Sequence, residues 1–391
     1  MIFLLVFALL LLLAVLLSGL ADRSVLSIAV LFLGAGFLFG DGGVGLIHIE
    51  PENLGTRNII EIALFSVLFT DSMHFHLGQL SGNWRLPVRA LLFGMPLTLL
   101  AIALLAQLLT QLNWVEAFLV GAILSPTDPI FASAIVSREE IPPRLRQLLN
   151  VESGLNDGLA LPAVVLTLEM LGNSEKHFVP VLGELAWGVV LGAAVAYGAI
   201  LLVRLLPLPP AGLYKPLYAF AIGLSVLSLA ELLNANLFLA AYAAGITIAS
   251  TSAEVRDTFQ PFGETISELL KLIALLVFGA LLTLDTVTSL SLRADLFAIL
   301  TIFLIRPLVI ELVLFGSALS WRERAVAAWF GPKGFASIFY GLLILQQGTD
   351  GASYIAQLAT VVITLSIVAH SSTDVLTTRW FQKETNEITE S

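Results

Sequence analysis

Leu124-Ser125-Pro126-Thr127-Asp128-Pro129-Ile130 sets two prolines around a carboxylate in the middle of an apolar stretch that runs from 114 to 136. Each proline lacks an amide donor and strains the preceding turn, so a helix here is kinked or broken. Inside hydrocarbon, unwound backbone is tolerated only where it is buried in protein or lines a watery cavity. A second interruption, Trp329-Phe330-Gly331-Pro332-Lys333-Gly334, lies within the apolar stretch 323–347 and carries a cation where the first carries an acid. A single break reads as a proline kink. Two, oppositely charged, read as a device.

The rest of the chain supplies the setting. Of 391 residues 58% are hydrophobic and only 12% charged, against about a quarter charged in a soluble domain. So few charges cannot cover a water-facing surface, and the solvent must be largely lipid. Cysteine is absent, which removes disulfides and thiolate metal sites. No basic stripe marks a nucleic-acid partner. Glycine-rich 41–45 lacks a phosphate-loop lysine and reads as a plain turn. The expected fold is an all-α polytopic membrane protein. About thirteen apolar segments are long enough for helices that cross about 30 Å of hydrocarbon: 2–20, 24–40, 58–73, 86–110, 114–136, 147–170, 180–205, 213–233, 236–251, 266–284, 295–318, 323–347 and 352–377. The first lacks a basic start and a small-residue cleavage site, so it is kept as a helix. The stretches 41–57 and 252–265 and a tail at 378–391 are the polar remainder.

Thirteen crossings put the termini on opposite sides. With the C-terminus cytoplasmic, fourteen of the 19 basic residues fall inside and three (Arg57, Lys176 and Arg293) outside, as the positive-inside rule requires. Arg306 and Lys333 remain within the membrane. If spans 1–6 and 8–13 are two six-helix repeats joined by span 7, the odd linker inverts the second repeat. The interrupted helices are then the fifth of each. Paired interruptions at corresponding places point to the binding site of a secondary transporter.

Span six carries the chemistry: Asn150-Val151-Glu152-Ser153-Gly154-Leu155-Asn156-Asp157. Charges in a membrane helix cost a few kcal/mol each even on lenient scales. Helical spacing puts Glu152 and Asn156 on one face and Ser153 and Asp157 on the next. Arg306 stays charged at any relevant pH and needs a buried acid; Glu152 is the candidate. Asp157, Asp128, the Ser153 hydroxyl and freed carbonyls near Thr127 offer an all-oxygen shell suited to a hard cation. A carboxylate held away from water takes a proton or a cation, not both favourably, and that competition is itself an exchange mechanism. Asp128 and Lys333 have the right signs for the amino and carboxyl ends of half-helices. Asp71, ending span three, either joins the shell or sits in an interface. His74 and His76 read as ordinary solvated residues.

These residues resemble the monovalent cation/proton antiporter family, in the branch of sodium/hydrogen exchangers and NhaP-like antiporters. The likeness runs through Ser125-Pro126-Thr127-Asp128-Pro129, Ile141-Pro142-Pro143-Arg144-Leu145, Glu152-Ser153-Gly154-Leu155-Asn156-Asp157, Arg306 and Gly331-Pro332-Lys333-Gly334. It implies an NhaA-like fold with crossing fifth helices, and a homodimer in the cell (inner) membrane. A core from spans 3–6 and 10–13 (about 58–170 and 266–377) would move against a dimerisation domain from spans 1–2 and 7–9 (about 2–40 and 180–251). It implies Na⁺ bound by Asp157, Asp128, Ser153, Thr127 main chain and Asp71, with Glu152 paired to Arg306. It also implies electroneutral exchange of one cation for one proton, because Asn156 rather than a second aspartate precedes Asp157. Asp71 departs from the glutamate of similar prokaryotic proteins, and Lys333 from the arginine of eukaryotic ones. No cofactor is implied; the partners are Na⁺ or another monovalent cation, protons and lipid. Potassium/proton exchange is the neighbouring expectation. A passive channel would need no carboxylate that swaps ligands each cycle, and a scaffold would not need Asp128, Glu152, Asp157 and Arg306 in lipid.

Overall fold

The computed structural model describes residues 1–21, 28–49, 53–75, 84–128, 141–172, 178–205, 212–284, 290–347, 351–371 and 373. His76, Pro129, the rest of span five and the tail at 378–391 lie outside the described residues. Within them the chain is all-helical, with fourteen helices. They are α1 (Ile2–Ala21), α2 (Ile28–Phe39), α3 (Leu54–Ser72), α4 (Arg85–Thr110), α5 (Trp114–Leu124), α6 (Pro143–Leu171) and α7 (Phe178–Leu205). There follow α8 (Lys215–Leu232), α9 (Leu237–Thr251), α10 (Ala253–Leu281), α11 (Leu292–Leu314), α12 (Trp321–Trp329), α13 (Phe335–Gln347) and α14 (Ala352–Ser371). Seven are long and apolar enough to cross a membrane, including α1, α4, α6, α7, α8, α11 and α14. Leu4, Leu5, Leu9, Leu12, Leu16, Leu201, Leu202, Leu308 and Leu312 stand exposed on them, the surface expected of helices solvated by acyl chains.

Span twelve is two helices, α12 and α13, parted at Phe330–Gly334. Span five is helical as α5 and breaks at Ser125. The polar stretch 252–265, expected as a connection, is the first half of α10. Its aromatic residues recur at helical spacing: Phe259 packs edge-on against Phe69 at 5.9 Å and Phe262 against Phe220 at 6.1 Å. The amphipathic face, diluted by Glu254, Arg256, Asp257 and Glu264, was hidden from an average over the window.

Two helix pairs share the same sequence of devices. α4 carries a wide π segment at Ala90–Gly94 just before Met95-Pro96, and α11 carries one at Thr301–Ile305 just before Arg306-Pro307. Each proline would clash with the carbonyl four residues earlier, at Leu92 and Phe303, and the widened turn includes that residue. The helix that follows opens in each case on a capping box, Asn113 with Glu116 before α5 and Ser320 with Glu323 before α12. Both capped helices then end at a proline-containing break. The amides of Asn113 and Glu116 at one start, and of Ser320 and Glu323 at the other, are thereby satisfied.

Contacts divide the chain into two compact units. The first comprises Met1–Arg57, Arg85–Asn156 and Leu272–Ser391. In it α2 and the end of α10 approach closely, because a Cβ on Gly36 would strike the Leu276 carbonyl and one on Gly279 the Leu33 carbonyl. Small residues permit such backbone contact where lipid gives helices no hydrophobic reason to associate. The second unit comprises Asn58–Trp84 and Asp157–Lys271. There Gly188 and Gly192 on α7 admit the carbonyls of Asn236 and Ala240 at the start of α9.

Candidate functional site

In the first unit the two breaks are bonded to each other. The Asp128 amide donates to the Pro332 carbonyl at 3.0 Å, and the Phe335 amide donates to Asp128 Oδ2 at 3.0 Å. Asp128 therefore caps the amino end of α13, where the helix dipole favours an anion. Ser337 Oγ donates to the Ile123 carbonyl at 2.7 Å, which serves the last turn of α5. Gly334 must be glycine: a Cβ there would overlap the Asp128 side chain. Gly331 is held for the same reason by the Arg306 guanidinium.

α6 brings part of its polar face to these breaks. Asn156 Nδ2 donates to the Thr127 carbonyl at 2.9 Å and to Thr127 Oγ1 at 2.7 Å, fixing the unwound backbone after α5. One turn earlier, Glu152 accepts from Arg306 Nη2 at 3.0 Å. Their side chains are 6% and 4% exposed, so the pair is out of solvent. Arg306 Nη2 also donates to the Phe330 carbonyl at 3.0 Å, at the carboxyl end of α12. Ser153, buried on the adjoining face, precedes Asn156 by three residues. Lys333 is buried, and among the described residues its Nζ has no hydrogen-bond partner, whereas its backbone amide donates to Ser366 Oγ at 2.8 Å. The carboxyl end of α12 is thus bonded by Arg306 and not by Lys333.

His370 completes that end. Its Nε2 lies 3.0 Å from the Trp329 carbonyl and its Nδ1 2.7 Å from the Ser366 carbonyl, with the ring tilted against Trp329 at 4.9 Å. Sequence reading passed over His370 because a lone histidine near a helix end has solvation as its default.

In the second unit, Asp157 follows Asn156 directly along α6 and is 9% exposed. The Tyr242 ring occupies the place of a Cβ on the neighbouring Gly158. Asp71, at the end of α3, accepts from Lys271 Nζ at 3.2 Å. Lys271 was counted with the cytoplasmic basic residues, yet it is buried in α10. Three residues beyond Asp71, His74 Nε2 lies 2.9 Å from Glu264 Oε1.

The glycine constraint gives a first prediction. Gly334→Ala places a methyl group on Asp128, and overpacking of this kind costs about 1–3 kcal/mol. A lowered unfolding midpoint in detergent is expected, because the Asp128–Phe335 cap is displaced. A wild-type midpoint in this variant would show that the two breaks do not depend on close approach.

The comparisons with known proteins run the length of this arrangement. K(+)/H(+) antiporter NhaP2 of Shewanella sp. (strain MR-4) is 26% identical over 377 residues, 95% of this chain and 65% of that protein. The chain thus spans just under two thirds of the length of that curated relative. Na(+)/H(+) antiporter 2 of Zygosaccharomyces rouxii is 28% identical over 314 residues, 75% of this chain and 39% of its own. Among solved structures, the sodium proton antiporter MjNhaP1 from Methanocaldococcus jannaschii superposes with a TM-score of 0.79 at 20% identity, covering 97% of this chain and 99% of that one. The last likeness is one of fold. The sequence profile of the transmembrane sodium/hydrogen exchangers matches residues 7–379, a span that takes in both breaks and the polar helix between them, and the chain belongs to that family.

Proposed function

We propose that this chain exchanges a monovalent cation, Na⁺ first of all, for a proton across the cell (inner) membrane, one for one, with both ions competing for Asp157. The observation that carries this reading is the pair of mutually hydrogen-bonded breaks in a chain of the exchanger family, with Asn156 anchoring the first break and Asp157 next along the same helix. Asp128, Ser153, the Thr127 main chain and Asp71 are the further oxygen donors of the proposal. Glu152, Asn156, Arg306 and Lys333 form its polar frame. The Glu152–Arg306 bond holds α6 against α11 with two buried charges, and in this proposal the moving ions compete at Asp157. No hydrolytic step is needed, since an ion gradient drives the cycle.

Thirteen crossings in two inverted six-helix repeats account for the matched π segments, capping boxes and breaks of α4–α5 and α11–α12. On this reading a core from spans 3–6 and 10–13 moves against spans 1–2 and 7–9, which also form a homodimer contact. The C-terminus is cytoplasmic and the N-terminus outside. A second reading, potassium/proton exchange, is favoured by the likeness to the K(+)/H(+) antiporter NhaP2 of Shewanella; both ions accept oxygen ligands.

Proteoliposomes with an imposed pH gradient separate these readings. Na⁺, K⁺ or Li⁺ is added singly and internal pH is followed, with and without a voltage clamp. Na⁺-dependent dissipation that ignores voltage is expected. A response to K⁺ alone selects the second reading; dissipation that needs no added cation exchange and tracks voltage would point to a passive pore and sink both.

A further inference from the structure

Asp71 already holds a cation, and that cation belongs to the protein. Lys271 Nζ donates to Asp71 Oδ2 at 3.2 Å, within the second unit. The lysine side chain is 5% exposed and the aspartate 28%. The ammonium is therefore sealed in while one side of the carboxylate stays open. Ser267, one turn before Lys271 on α10, is buried with an Oγ that has no hydrogen-bond partner among the described residues. Close by, His74 and Glu264 at 2.9 Å also join the end of α3 to α10, so Lys271 is not the sole tie between them.

The contact is loose for its type. Charge-assisted N–H···O bonds run at about 2.7–2.9 Å, and the bond from Lys271 to Asp71, at 3.2 Å, is longer. A lysine offers a compact charge on a flexible four-carbon stem, without the rigid two-pronged fork of arginine. An ammonium and an alkali cation make the same demand on a carboxylate: one positive charge against the same oxygens.

We propose that Lys271 is a tethered competitor at Asp71, which must release this carboxylate before it can join in binding the transported cation, and that Lys271 thereby sets apparent cation affinity. The proposal rests on the antiport reading and on Asp71 serving as a donor. A competitor that is closed two-thirds to nine-tenths of the time raises the apparent KM about three- to tenfold, because only the open fraction binds. Lys271 acts through Asp71 and is a positioning residue.

The test uses initial rates of cation-driven proton movement in proteoliposomes, over a range of Na⁺ and then K⁺. Lys271→Met is expected to lower KM about three- to tenfold. Lys271→Arg, whose fork grips the carboxylate harder, is expected to raise it. In Asp71→Asn the step from Lys271 to Met should leave KM unmoved. A KM unchanged or raised in Lys271→Met overturns the proposal, as does the same fall in the Asp71→Asn background. Should Lys271→Met fail to fold, Lys271→Arg decides, and an unchanged KM there overturns it. Wild-type protein without cation-driven exchange would instead overturn the antiport reading itself, whatever the Lys271 variants do.

Discussion

Asp157→Asn is expected to abolish cation-driven proton movement, down to the rate of empty liposomes, while the protein still folds. The amide has the carboxylate's shape and can still accept and donate hydrogen bonds, so the neighbours of α6, Tyr242 among them, meet little change in volume. It can neither release a proton nor offer a charge to a cation. Both halves of the exchange are lost together. Stability should hold because the change removes a charge from a membrane interior, where each charge carries a desolvation cost. Transport and thermal unfolding measured on one preparation make the check. Exchange at the wild-type rate would remove Asp157 from the mechanism; loss of fold would mean that its role is structural.

Glu152→Ala has the opposite profile, with stability as the main casualty. Arg306 keeps its charge, lies 3.0 Å from Glu152, and loses that partner with both side chains almost wholly buried. Breaking a buried pair from one side costs about 3–5 kcal/mol, since the surviving charge is stranded. A fall of roughly 4–6 °C in the unfolding midpoint is expected from that cost. Replacing both partners by apolar residues, as Glu152→Leu with Arg306→Met, should recover part of it, because no uncompensated charge remains. Recovery will be incomplete: Arg306 also donates to the Phe330 carbonyl at the end of α12. A midpoint in Glu152→Ala within a degree of wild type would show that the pair contributes nothing.

The positions of the helices, the two breaks and the pairing of Arg306 with Glu152 were legible because lipid leaves few options. An apolar run of sufficient length must be helical there, prolines set beside a charge or between glycines interrupt it where Pro162 and Pro261 do not, and a permanent charge must find an opposite one among very few candidates. Where water or packing offered alternatives, the sequence stayed silent. Lys271 near the end of a span could have faced the cytoplasm; only tertiary structure carries it to Asp71, 200 positions away. Lys333 had the right sign for the carboxyl end of α12, yet Arg306 and His370 are the groups that reach its carbonyls. The charged first half of α10 hid a face that becomes visible only against Phe69 and Phe220. The chain's own chemistry dictates which groups cannot stay unpaired in hydrocarbon, whereas partners among several adequate ones are chosen by distance, which exists only once helices remote in sequence have packed.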